Sequence, residues 1–272
     1  MSRFLGITRE PVFSPGRVAD DSAILHLVAD ELRHQGHSVA VVGGDDEHWP
    51  QPATETTVFA MCQGPRALER MRGWEARGVR IVNRPEGILN CQRSCTVPAL
   101  VRAGTAFPES LLVETAAVAA LPEWIAESGA WVKRGDVHAM ETDDVIFADS
   151  TDKVRGALRR FRERHIERAV VQRHVAGTVL KFYAVRGRFF HCVPPAGSAA
   201  PAPDTLRRID ALGQHAAQVL NVEVYGGDCV YSAGGAVTLI DLNDWPSYAP
   251  CRSKAAREIA GYLLAQRTAR DR

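Results

Sequence analysis

The sequence predicts a small parallel α/β layer over residues 1–86 and a larger α+β region after it. Three observations carry this. Short apolar runs alternate with helix-period segments as far as residue 82, and strands then dominate residues 131–193. The composition, 46% hydrophobic and 24% charged, is that of a chain that buries a core, which excludes disordered, collagenous and coiled-coil classes.

The elements follow in order. Residues 4–8 form an apolar strand. Residues 21–37 carry Ile24, Leu25, Leu27, Val28 and Leu32 at helical spacing, with Asp20, Asp21 and Ser22 as caps and Gly36 as a stop. Residues 39–42 read as a buried strand, followed by the turn Gly43-Gly44-Asp45-Asp46; no Gly-x-x-Gly helix start follows, so a dinucleotide fingerprint is not supported. A strand at 57–61, a helix at 65–77 stopped by Gly78, and a strand at 79–82 complete a parallel layer. Residues 87–103 are helical, 111–113 a strand, 122–128 a short helix and 151–164 a helix among strands. A Pro/Ala/Gly/Ser loop spans 194–203 and an amphipathic helix 204–220. Strands at 223–231 and 236–241 fold into a hairpin across Ser232-Ala233-Gly234-Gly235, and a helix at 253–270 closes the chain.

Charge and cysteines narrow the function classes. Lys plus Arg number 33 against 32 Asp plus Glu, a net +1, which argues against a generally basic nucleic-acid binder. Six scattered cysteines read as reduced thiols; Cys91 and Cys95 have the spacing of one helical turn, but no second Cys/His pair completes a zinc site. No apolar run reaches the roughly 18–20 residues that span a bilayer, and the N-terminus turns polar too soon for a signal peptide, so no membrane partner and a cytoplasmic location are expected.

The strongest chemical constellation is Asp228 with Asp241 and Asn243. Side chains two apart on a strand share a face, and the Gly234-Gly235 turn folds Asp228 back beside Asp241. Two carboxylates and an amide oxygen suit Mg²⁺, which takes hard oxygen ligands. From residue 168 to residue 203 there is no Asp or Glu, while Arg173, Lys181, Arg186 and Arg188 all occur. Lining a cleft, that stretch supplies a positive potential for polyphosphate.

With these residues the chain resembles the ATP-grasp superfamily, in which a hairpin carries one acid and then an acid-x-Asn pair that bind magnesium. Lys133, ending the strand Trp131-Val132-Lys133, stands where the family places a lysine on the nucleotide phosphates, and Arg93 stands where a Lys or Arg reaches the same phosphates. The run through Gln172, Arg173, His174 and Val175 resembles the hinge strand whose backbone edge pairs with adenine. Lys181 resembles the basic position that approaches the transferred phosphate, and residues 105–108 resemble the entry to the fold. The resemblance covers roughly residues 83–264. It implies an ATP-grasp domain at 87–272, with a lid subdomain at about 105–172, preceded by a small parallel α/β domain at 1–86. ATP and Mg²⁺ are the implied cofactors, and a homodimer is the implied assembly because the superfamily often dimerises. The chain departs from the pattern after Lys133, where Arg134-Gly135-Asp136-Val137-His138-Ala139-Met140 holds one glycine in place of a glycine-rich loop.

Two activities are consistent with this resemblance. In the preferred one, a carboxylate–amine ligase phosphorylates a small-molecule carboxylate to an acyl phosphate and joins it to an amine. In the alternative, the acceptor is a hydroxyl, as in the inositol tris- and tetrakisphosphate kinases. Asp241-Leu242-Asn243-Asp244-Trp245-Pro246-Ser247-Tyr248 is similar to the kinase pattern, and His138 follows Lys133 as the kinase histidine does. The acids Asp136, Glu141, Asp143 and Asp144 in the same loop oppose a polyphosphorylated acceptor. His138 and Lys181 are the expected catalytic residues, and Ser247, Tyr248 and Arg252 the expected acceptor contacts, Arg252 through bidentate pairing with a carboxylate. A third reading takes Lys153, Arg155, Arg159, Arg160, Arg162, Arg164 and Arg168 as a nucleic-acid surface. Against it, Phe161 is the one aromatic among them and lies on the apolar side of the helix.

Overall fold

The computed structural model describes residues 2–118, 120–137 and 141–268. Three four-stranded sheets organise it. The first has the order β2-β1-β3-β4, from Arg3–Ile7 (β1), Ser38–Val42 (β2), Thr56–Ala60 (β3) and Arg80–Val82 (β4), and all its pairings are parallel. Helices Val18–His34 (α1) and Pro65–Ala76 (α2) supply the crossovers. The residue 39–42 strand is not buried: β2 is an edge strand and alternates between exposed and half-buried. An apolar run alone does not distinguish an edge from a centre. Helix α1 begins at Val18 rather than Asp21, without a side-chain cap; Asp21 is buried and accepts hydrogen bonds from Ser14 Oγ and Arg9 Nη1.

The expected helix over 87–103 is two helices, Pro85–Asn90 (α3) and Arg93–Arg102 (α4), with Gln92 extended between them. Thr96 Oγ1 donates to Asn90 O and the Cys95 and Thr96 amides to Gln92 O, so side-chain and turn bonds replace continued helix at the break. The break starts α4 with Arg93 buried.

The second sheet has the order β5-β8-β6-β7, all antiparallel, from Ser110–Glu114 (β5), Ala130–Arg134 (β6), Val145–Ala148 (β7) and Arg168–Arg173 (β8). Helices Trp124–Ser128 (α5) and Thr151–Glu163 (α6) cover it, packing Trp124, Ile125, Val154, Leu158 and Phe161 on Val132, Ala169 and Val171. Of the basic residues on and around α6, Lys153, Arg164 and Arg168 are ion-paired with Asp149, Asp144 and Glu114.

The third sheet, order β10-β9-β11-β12, joins Thr178–Val185 (β9), Phe189–Val193 (β10), Val224–Tyr231 (β11) and Val237–Asp244 (β12), again antiparallel. Leu180, Phe182 and Ala184 of β9 face helices α4 and Pro203–Leu220 (α7) in one core; Tyr183 and Val185, on the opposite face, enter another. That second core includes α1, Phe59 and the closing helix Arg252–Thr268 (α8), so the first layer and the third sheet share it. Asn83, fully buried, ties them further: its amide donates to Val224 O at 2.7 Å and its carbonyl accepts from the Glu223 and Val224 amides at 2.8 and 2.9 Å. Among the described residues no helix is long and apolar enough to cross a membrane.

Candidate active site

A cleft of about 800 Å³ runs between the second and third sheets and reaches the loop between β1 and α1. Its floor is set by strand register. Lys181 on β9 pairs with Asp228 on β11, and Asp228 with Asp241 on β12, so three charged side chains stand in one line across three strands. Asn243, two residues further along β12, shares the face of Asp241. The strand continues through Asp244, which places Asn243 inside the ladder.

The line is held by ion pairs. Lys181 Nζ lies 3.0 Å from Asp228 Oδ1 and hydrogen-bonds Oδ2 at 3.4 Å. Asp241 Oδ2 accepts from Arg93 Nη2 at 2.6 Å, and both side chains are largely buried. Above the line, buried Lys133 donates to Gln172 Oε1 at 2.7 Å and to Ile240 O at 3.0 Å. Burial pulls Lys133 down to about 8, with Asp241 opposing the fall. Burial pulls Lys181 down too, but Asp228 outweighs it and leaves Lys181 raised. Asp228 is raised by burial, an effect only partly offset by Lys181.

The hinge is narrower than the sequence implied. Strand β8 is paired on both sides, by β5 and β6. The Arg173 amide donates to Glu109 O and the His174 amide to Gly129 O. Gln172 serves Lys133, and the Arg173 guanidinium bonds Ser128, Glu109 and Glu127. Among the described residues, the His174 carbonyl and the Val175 amide at this edge have no hydrogen-bond partner, and both belong to residues that line the cleft. Trp131 Nε1 donates to His174 Nδ1 at 3.1 Å, so the imidazole carries its proton on Nε2 when neutral.

Several expected contacts lie elsewhere. Tyr248 is fully buried, its hydroxyl within 2.7 and 3.1 Å of Ala184 O and Tyr225 O, so it is a core residue and not an acceptor contact. Arg252 lies outside the cleft lining, bonded to Ser247 O and to Asp20; the nearer acid claims the guanidinium. Ser247 does line the cleft. His138 lies outside the described residues. The sequence reading missed Arg9, Ser14, Arg17 and Tyr183, all of which line the cleft. The first three sit on the loop leaving the C-terminal end of a parallel strand, where α/β sheets place ligands, and that position was the available signal.

Among the described residues no group of three or more His, Cys, Asp or Glu side chains forms a metal cluster. The Asp228, Asp241 and Asn243 set, two carboxylates and an amide, still has the hard-oxygen chemistry a divalent cation requires.

No family model and no curated protein matches the chain in sequence. Solved structures match it over almost its whole length. D-alanine–D-alanine ligase from Bacillus anthracis, complexed with ATP, aligns at a TM-score of 0.74 and 11% identity, covering 99% of this chain and 100% of that one. A RimK-domain ATP-grasp protein from Sphaerobacter thermophilus aligns at 0.68 and 16% identity, covering 96% and 99%. This chain has the ATP-grasp fold. D-alanyl-alanine synthetase A from Vibrio cholerae agrees, at 0.71 and 12% identity over 99% and 98% of the two chains. Within the ATP-grasp fold the second and third sheets enclose the cleft, which puts Lys133 on one wall and the Lys181–Asp228–Asp241 line on the other.

Proposed function

We propose that the chain is an ATP- and Mg²⁺-dependent carboxylate–amine ligase. The observation that carries this is the Lys181–Asp228–Asp241 line, flanked by Arg93 and Lys133, in a cleft whose hinge offers the His174 carbonyl and the Val175 amide, unpartnered among the described residues. The D-alanine–D-alanine ligase likeness supports the choice of reaction.

The His174 carbonyl and Val175 amide receive the adenine edge; Lys133 and Arg93 hold the phosphates. Mg²⁺, held by Asp228, Asp241 and Asn243, supplies charge neutralisation for the triphosphate. Lys181 stabilises charge on the transferred phosphoryl group, in a site where positioning and electrostatics do most of the catalysis. An acceptor carboxylate oxygen bonds to the γ-phosphorus as ADP leaves. An amine then bonds to the acyl carbon as phosphate leaves, with one proton lost from nitrogen. The kinase-like run at 241–248 lends no separate support to a hydroxyl acceptor, because Trp245 and Tyr248 serve the core.

The test is incubation with ATP, Mg²⁺, a pool of carboxylates and hydroxylamine. Hydroxamate formation that depends on Mg²⁺ and on the carboxylate is the expected result; phosphate transfer to a hydroxyl without any hydroxamate overturns the ligase.

Lys133 adds a pH prediction. Its folded value of about 8 lies below the ordinary lysine value, so burying the cation costs stability at low pH and that cost is relieved as pH rises. The cation itself is present at neutral pH and lost as pH passes about 8. Mg²⁺·AMP-PNP affinity should weaken about tenfold between roughly pH 7 and pH 9, and the slope should vanish in Lys133→Met, whose affinity is low throughout. A wild-type slope unchanged in Lys133→Met removes the lysine from the phosphate site.

A further inference from the structure

The charged side chains on the nucleotide half of the cleft are engaged: Lys133 with Gln172, Arg93 with Asp241, Lys181 with Asp228, Arg173 with Glu109 and Glu127, Glu141 with Arg164. The opposite half, toward the β1–α1 loop, differs. Arg9 is committed to Asp21 and to the Trp245 and Met61 carbonyls, whereas the Arg17 side chain makes no hydrogen bond or ion pair among the described residues.

Tyr183 lies at the boundary between this half of the cleft and the core. On its face of β9 it follows the exposed Lys181 and precedes the buried Val185. It is 7% exposed, with its ring 5.4 Å from that of Tyr248. Yet its hydroxyl has no partner among the described residues and is not sealed from the cleft. The ring is buried while the hydroxyl opens onto the cleft, where it can donate to a ligand in place of solvent. Its row-mate across the strands is Gly226, where a Cβ would meet Phe182 O and Pro246 Cγ at 2.8 Å and Tyr183 Cδ1 at 3.5 Å, so the floor beside the base of the Tyr183 ring carries no side chain and is walled by the proline ring. Arg17, exposed on the β1–α1 loop, and Tyr183 line the same cleft; of the cations that act on the phenol, Lys181 on the same strand face acts most strongly and Arg17 less.

We propose that Arg17 and Tyr183 form an anion subsite holding a second, non-reacting carboxylate of the acceptor, so that the preferred acceptor is a dicarboxylate or an amino dicarboxylic acid. The proposal rests on the ligase reading. Geometry gives the polarity of binding: the reacting carboxylate faces Lys181, and the second one, beyond it on the same face of β9, faces Tyr183 and Arg17. A guanidinium and a hydroxyl are matched to a carboxylate, and the apolar Phe13 and Pro246 that also line this half accept a short methylene chain.

The experiment is calorimetry on the protein saturated with Mg²⁺·AMP-PNP, titrated with succinate, with succinamate (one carboxylate neutralised) and with inorganic phosphate. Succinate should bind about tenfold or more tighter than succinamate. Arg17→Gln should remove that difference, Arg17→Lys should keep part of it, and Tyr183→Phe should weaken succinate about three- to tenfold. Mg²⁺·AMP-PNP affinity should stay within about twofold in all three variants. Equal binding of succinate and succinamate, no binding of either, an Arg17-dependent site for phosphate alone, or variants that bind succinate as the wild type does each overturn the subsite. Failure of the wild type to bind Mg²⁺·AMP-PNP sinks instead the ligase reading on which the subsite rests.

Discussion

Asp241→Asn is expected to lower ATP turnover by a factor on the order of 10³ and to destabilise the fold by about 2–3 kcal/mol. The two effects have separate causes. The carboxylate is a proposed Mg²⁺ ligand on the central line of the cleft, and an amide at that position keeps the shape but gives up the charge that a hard cation requires. The stability loss comes from Arg93. Its side chain is 8% exposed and its Nε already lacks a partner, so neutralising Asp241 leaves a guanidinium in poor solvent without its counter-ion. Removing one member of a largely buried pair costs more than removing both, because the survivor keeps its desolvation penalty. The double variant Asp241→Asn with Arg93→Gln should therefore regain much of the lost stability in urea denaturation while turnover stays low. If Asp241→Asn releases ADP within about tenfold of the wild-type rate, the metal assignment is wrong. If the double variant is no more stable than the single one, the ion pair is not the source of the loss.

What could be read from the chain beforehand follows the range of the interactions involved. The hairpin at 223–241 was legible because alternation and a Gly-Gly turn are local signals, but the register counted from the turn sets Asp228 opposite residue 240, and only the irregularity in the ladder between Asp228 and Cys229, which no local period announces, brings Asp241 opposite it. The position of Lys181 in the same line depends on β9 pairing with β11 across 47 positions of sequence, and no local period encodes that register. The hinge shows the same limit. Its sequence was recognisable, but which backbone groups remain free depends on β5 and β6 flanking β8 and on Glu109 and Gly129 accepting the next two amides. The β1–α1 loop was missed for a related reason. Arg9, Ser14 and Asp21 form a network inside a Pro/Gly-rich segment with no periodicity, completed by the Trp245 carbonyl 236 positions away. Arg252 was assigned by proximity in sequence to the metal hairpin, and Asp20 on α1, equally remote in sequence, holds it outside the cleft.

Trp245→Ala is expected to cost about 3–5 kcal/mol, the range for truncating a fully buried large aromatic. The indole has no exposed surface and lies in the core shared by the first layer and the third sheet, 6.4 Å from the ring of Phe59 and with Nε1 toward Val82 O at 3.4 Å. Its backbone is equally committed: the amide donates to Val224 O at 3.1 Å and the carbonyl accepts from Arg9 at 2.9 Å. Because α1, α8 and β9 all contribute to this core, the cavity opens where the two halves of the molecule join and cannot close by moving one loop. At about 2–4 °C per kcal/mol for a chain of this size, the melting temperature should fall by roughly 10 °C. Trp245→Phe separates packing from substrate contact. It keeps most of the volume, so it should cost about 1–2 kcal/mol and leave the acceptor KM unchanged, since no indole atom reaches solvent. A Trp245→Phe protein that stays stable but shows an acceptor KM raised tenfold or more would place the indole in the acceptor wall, in the manner the kinase-like motif implied. A Trp245→Ala loss below about 1 kcal/mol would show that the two layers do not depend on one core.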